Sequence, residues 1–133
     1  LNKVPVEEAH LIAFEDRFQY QTAYYQQFHL VTLTGIAQSA VASFSHEVRE
    51  RKRIFSHGNA DLVRHDAQVL QVIGQASAHA YASEAITQKV AESLQQAYLS
   101  HFESTAVLEH QANVAAELES AQGQVVVSNL VLD

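Results

Sequence analysis

With 47% apolar and 17% charged residues, a chain of 133 residues can build one modest core, and its composition is not that of a disordered, collagenous or coiled-coil protein. Four glycines and one proline punctuate it too rarely for a β-sandwich or barrel, which needs a turn about every ten residues, so a mainly helical fold is expected. Cysteine is absent, which excludes disulfides, thiolate metal sites and cysteine nucleophiles, and 8 Lys and Arg against 15 Asp and Glu give a net charge of −7 that repels a phosphate backbone, so nucleic acid is not an expected partner.

Residues 1–15 hold the only proline, Pro5, and two short apolar pieces, Val4-Pro5-Val6 and Leu11-Ile12-Ala13-Phe14. They read as an extended connector from an upstream domain. No proline follows, and from Asp16 to Arg53 only Gly35 interrupts a helical pattern in which Tyr24, Phe28, Val31 and Gly35 recur on one stripe, so a first helix is expected near 16–53. Ile54 to Asn59 supply turn residues. Asp61 or Asp66 can cap a second helix, near 61–98, whose inward stripe is Val69, Ile73, Ala76 and Ala80. Ser100-His101-Phe102-Glu103 fits a capping box and opens a third helix over 100–133, with a stripe of Val107, Val114, Leu118, Ala121, Val125 and Leu132. The expected architecture is an all-α, elongated antiparallel bundle over 16–133. Gly35, Gly74 and Gly123 inside helices predict close approach of neighbouring backbones.

Neither a membrane span nor a signal peptide is expected, since no apolar run approaches the roughly 20 residues that cross a bilayer. A soluble protein of the cytoplasm is expected. Eight histidines invite a metal reading, but only Glu7-Glu8-Ala9-His10 has the Glu-x-x-His spacing of a di-iron ligand pair, and it has no second copy. No metal site is expected. Five of the eight basic residues, Arg49, Arg51, Lys52, Arg53 and Arg64, gather around the turn between helices one and two. Such a cluster suits an anionic group, because guanidinium binds phosphate bidentately; it also suits the negative end of its own helix dipole.

Three stretches taken in order resemble the C-terminal helical domain of the acyl-CoA dehydrogenase superfamily: Leu33-Thr34-Gly35-Ile36-Ala37-Gln38-Ser39-Ala40, then Val48-Arg49-Glu50-Arg51-Lys52-Arg53-Ile54-Phe55-Ser56-His57-Gly58, then Asp66 to Gly74. The Arg-x-Arg-x-aromatic-Ser-His-Gly turn and Ala121-Gln122-Gly123-Gln124-Val125-Val126-Val127 resemble most its flavin-dependent monooxygenases of the dibenzothiophene and sulfone desulfurising kind.

The resemblance implies a four-helix bundle cut before its fourth helix, homotetrameric packing through the bundle, and FMN or FAD bound with help from absent upstream domains. It assigns flavin contact to Arg51, Arg53, Phe55 and Ser56, the family arginine being Arg51 if aligned on Gly35 and Arg53 if aligned on Phe55. A reduced-flavin monooxygenase acting on a small molecule is implied, with a true FAD dehydrogenase or a purely structural oligomerisation module as alternatives. Some dehydrogenases carry a catalytic Glu on the first bundle helix, but the matching stretch, Gln21 to Phe28, has no carboxylate. No catalytic residue is assigned in this segment. Tyr24, Tyr25 and Phe28 there could line a flavin or an aromatic substrate, or serve as core or interface aromatics.

Overall fold

The computed structural model describes residues 3–53 and 56–132, and among them every regular element is helical. The chain leads in through two 3-10 turns, Glu8–His10 and Phe14–Asp16, and then forms α1 (Gln21–Glu50), α2 (Ala67–Glu103) and α3 (Ala106–Leu132), with a further 3-10 turn, Val63–His65, ahead of α2. At 1.5 Å per residue these helices are roughly 45, 55 and 40 Å long. The bundle runs up, down, up. Thr34 on α1 meets Thr87 on α2, and Ala23 and Leu30 on α1 meet Glu117 and Gly123 on α3, so α1 and α3 run parallel to each other and antiparallel to α2.

Each helix begins later than the sequence pattern suggests. The stretch 16–20 stays outside α1, whose N-cap Tyr20 offers no side-chain bond; the orphan N–H of Ala23 is instead taken by the Glu117 carboxylate of α3 at 3.2 Å. A tertiary contact thus sets where α1 starts. Of the two candidate caps for α2, Asp66 is the one used: its Oδ1 accepts from Gln68 N at 2.9 Å, and its Oδ2 accepts from Asn59 N at 3.4 Å.

The capping box at Ser100 does not form. Ser100 is buried inside α2 and its hydroxyl donates to the Ala97 carbonyl at 2.8 Å, so it serves the helix it was expected to end. The chain breaks at Ser104-Thr105, where Thr105 Oγ1 accepts from Leu108 N at 3.5 Å and starts α3.

The core contains Ala23, Leu30, Val90, Leu94, Ala97, Ala116 and Val127, with Tyr20, Leu33 and Ile86 packed against it. The expected inward stripe of α2 holds, since Val69, Ile73 and Ala76 are half-buried and Ala80 is buried. On α1 and α3 the expectation is reversed. Tyr24, Phe28 and Val31 face out, Phe28 with 68% of its surface exposed, while Ala23, Leu30 and Thr34 face in. Val107, Val114, Leu118 and Val125 of α3 are likewise exposed, and its buried line is Asn113, Ala116, Ser120, Gly123 and Val127. Small inward residues let the three helices lie close, and they leave the bulky apolar side chains nowhere to go but outward.

Only one of the three helical glycines marks such a close approach. A Cβ at Gly123 would stand 3.0 Å from Val90 Cγ2 and 3.3 Å from both Ile86 Cγ2 and Leu30 Cδ1. Gly35 and Gly74 face open space with nothing within 4 Å, which corrects their assignment to packed crossings. Some of the polar atoms buried with these small residues find partners: the Thr34 and Thr87 hydroxyls share a 2.9 Å hydrogen bond, and Gln27 Nε2 donates to the Thr87 carbonyl at 3.0 Å, while Gln27 Oε1 has none.

Candidate functional site

The basic turn lies at one end of the bundle. Arg51 is the first residue past α1; it is half-buried, and its N–H still closes the last helical turn on the Glu47 carbonyl at 2.9 Å. Arg64 reaches back from the 3-10 turn and its Nη1 approaches the Arg49 carbonyl at 3.5 Å, so this cation complements the α1 dipole. Arg53 and Ser56 are exposed, and Phe55 lies outside the described residues. Glu47, Glu50, Asp61 and Asp66 occupy the same stretch, so the five cations do not create a strong long-range field; an anion held here must be gripped at hydrogen-bond distance.

Below this turn α1 and α2 continue without α3 beside them. Gly123 packs on Leu30, so Leu132, nine residues on, falls near position 39 of α1 at equal rise (~1.5 Å per residue). The uncovered arm holds an apolar groove of about 360 Å³ lined by Val41, Phe44, Val48, Val69, Val72 and Ile73.

The aromatic candidates are elsewhere. Tyr24, Tyr25 and Phe28 occupy the first two turns of α1 and are exposed; Gln21 Nε2 donates to the Tyr25 hydroxyl at 2.9 Å, and the Tyr24 ring stands edge-on to Phe18 with centroids 6.1 Å apart. From Phe28 to Arg51 the helix rises roughly 35 Å. The structure therefore does not bring the two sets of candidate residues together within one chain.

A cavity that the sequence pattern did not single out opens at the opposite end of the bundle from the basic turn. It encloses about 480 Å³ between the segment leading into α1 and the α2–α3 turn, with Phe18, Tyr20, Tyr98, Phe102, His101 and Glu109 in its wall. The His101 ring is oriented by Glu109, its Nδ1 lying 2.8 Å from Oε1, and the Tyr98 and Phe102 rings meet edge to face at 5.2 Å. Burial, and to a lesser degree the neighbouring Tyr98, raise the Tyr20 phenol above its ordinary pKa, so it stays a neutral donor. These residues are nearly a hundred positions apart, and the only local signals were the Tyr98 and Phe102 pair one helical turn apart and a polar Asn113 on the α3 face opposite its apolar stripe.

Among the described residues no group of three or more His, Asp or Glu is placed to hold a metal ion, and no helix is long and apolar enough to cross a membrane. The Glu7 to His10 stretch forms an exposed 3-10 turn. No known protein family, curated protein or solved structure matches this chain.

Proposed function

We propose that the chain is the C-terminal helical domain of an acyl-CoA dehydrogenase-like flavin-dependent oxidoreductase, a reduced-flavin monooxygenase of the cytoplasm, in which it supplies subunit association and part of the flavin site. The observation that carries the association half is the outward placement of the apolar stripes of α1 and α3, since contiguous exposed apolar area beyond several hundred Å² marks an interaction surface. The flavin half rests on the Arg-x-Arg turn of the sequence and on the open geometry around it.

That turn suits a flavin phosphate: Arg53 and Ser56 are exposed, Arg51 caps the end of α1, and residues 56–62 are free of regular helix. In such a site Arg51 and Arg53 grip the anion with fixed charge, and the Ser56 hydroxyl adds a neutral hydrogen bond. The aromatic face of Tyr24, Tyr25 and Phe28 lines a ring or apolar substrate and keeps water from it. The roughly 35 Å between the two sets means that one flavin meets both only when the turn comes from one chain and the aromatic face from another. Reduced flavin, when bound, supplies the electrons that activate dioxygen for transfer of one oxygen atom to the substrate.

Two alternatives remain in view, an FAD-dependent dehydrogenase and a module with an oligomerising role alone. The absence of a carboxylate from Gln21 to Phe28 speaks against a dehydrogenase that carries its catalytic base on α1. Measuring flavin affinity and melting temperature together for Arg51→Ala and Arg53→Ala in the intact enzyme tests the reading. Loss of one charge-assisted bond worth about 1.5–3 kcal/mol weakens flavin binding roughly ten- to a hundredfold. Unchanged affinity with a small loss of stability in both variants would leave only the helix-dipole role and the structural module.

A further inference from the structure

The cavity between the segment leading into α1 and the α2–α3 turn is not used by the proposed flavin site, and it lies at the other end of the bundle from the basic turn. We propose that it binds an organic ammonium ion carried on an aromatic or apolar body.

Three kinds of group converge there. The walls are aromatic: Phe18 and Tyr20 from the leading segment, with centroids 4.7 Å apart, and Tyr98 and Phe102 from the end of α2. Their ring faces attract a cation placed over them, and an apolar body buries their exposed carbon surface. The lining charge is negative. Glu15, Asp16 and Glu109 all contribute carboxylates, and the single fixed cation of the lining, Arg17, stacks its guanidinium 3.9 Å from the centroid of Phe14. Among the described residues only Glu109 of these three has a counter-charge within ion-pair distance, His101, whose own charge requires protonation.

The third group is an acceptor that the chain leaves unfilled. Asn113 lines the cavity with only 5% of its surface exposed. Its Nδ2 is committed, donating to Gln19 Oε1 at 3.1 Å and to the Glu109 carbonyl at 2.9 Å, whereas its buried Oδ1 accepts no hydrogen bond. Gln21, Gln26, Gln27 and Gln124 each leave a buried Oε1 unpartnered as well, so what sets Asn113 apart is its place in the cavity wall, where a small shift of the wall would let a ligand N–H serve it. An anion would be disfavoured by the acidic lining, in which Glu15 and Asp16 are exposed to solvent and Glu109 faces His101, and a neutral ring would gain nothing from that charge. A protonated amine answers the aromatic walls, the carboxylates and the empty acceptor together.

The test titrates the full chain, isotopically labelled, with 2-phenylethylammonium, neutral 2-phenylethanol and anionic 3-phenylpropionate, following amide shifts by NMR. The ammonium ion is expected to saturate with shifts confined to residues 15–20, 98–102 and 109–113, and to bind roughly five- to tenfold tighter than the alcohol, the ratio of a charge-assisted to a neutral bond. Glu109→Gln should weaken the ammonium ion about tenfold and leave the alcohol unchanged, and Glu119→Gln, outside the cavity, should leave both unchanged. Alcohol and ammonium binding equally, or no saturable shifts at these residues, overturns the proposal. If Glu109→Gln lost its helicity, the comparison of the three probes on the unaltered chain would decide alone.

Discussion

Replacing each helical glycine in turn by alanine separates inward from outward faces of the bundle. An alanine in a helix interior is favoured over glycine by about 1 kcal/mol. At Gly35 and Gly74 the new methyl group meets nothing within 4 Å, so that gain is realised in full. For a domain of this size it raises Tm by roughly 3–4 °C. At Gly123 the methyl group arrives 3.0 Å from Val90 Cγ2 and 3.3 Å from Ile86 Cγ2 and Leu30 Cδ1, side chains of two other helices that are themselves buried or half-buried. Overpacking of this kind costs about 1–3 kcal/mol, so the propensity gain is cancelled or reversed and Tm stays level or falls by up to roughly 7 °C. Differential scanning calorimetry at low protein concentration, where association between chains contributes least, reads all three variants. A rise at Gly123→Ala equal to that at Gly35→Ala would refute the packing of α3 on α1 and α2.

Two further outcomes follow from the helix ends and from the cavity. Thr105→Ala removes the cap of α3 and should cost about 0.5–2 kcal/mol in urea unfolding, and Ser100→Ala, which breaks only a bond back into α2, should cost less. Tyr20 keeps its proton longer in the folded chain than in the unfolded one, whose phenol titrates at 10.0. Below that pH its contribution is constant, and stability declines as pH rises from about 10 through the raised folded value; urea melts on the alkaline side should show this decline shrinking in Tyr20→Phe.

The number of helices, their order and their approximate extents were legible from the sequence because the chain from position 16 onward lacks proline and the apolar period is helical. The inward face of α2 was legible for the same reason. On α1 and α3 the largest apolar residues were the wrong guide, since the inner surfaces are built from Ala23, Thr34, Ala116, Ser120 and Gly123, and a stripe of small residues carries little hydropathic signal. Ser100 and Glu103 matched a capping box in letters, but burial of Ser100 against the bundle kept α2 going to the Ser104-Thr105 break. The start of α1 depends on Glu117, ninety-four positions from the N–H it satisfies, and no local pattern contains that information. Of the candidate site, the basic turn was visible as a cluster of charge, and the roughly 35 Å separating it from the aromatic face was not apparent until the register of α1 was known.

We propose that the outward apolar stripes of α1 and α3 are surfaces on which chains associate. Sedimentation equilibrium of the chain beside a Leu118→Glu, Val125→Glu double variant tests it most directly, because both side chains are exposed, at 56% and 63%, so that the change leaves the bundle interior intact. The unaltered chain should associate as its concentration rises through the micromolar range, and the variant should remain a monomer of equal helicity, since a charge buried at an apolar contact carries a heavy desolvation cost. A clean monomer for the unaltered chain across a wide concentration range, or association that the two glutamates leave unchanged, would contradict the account.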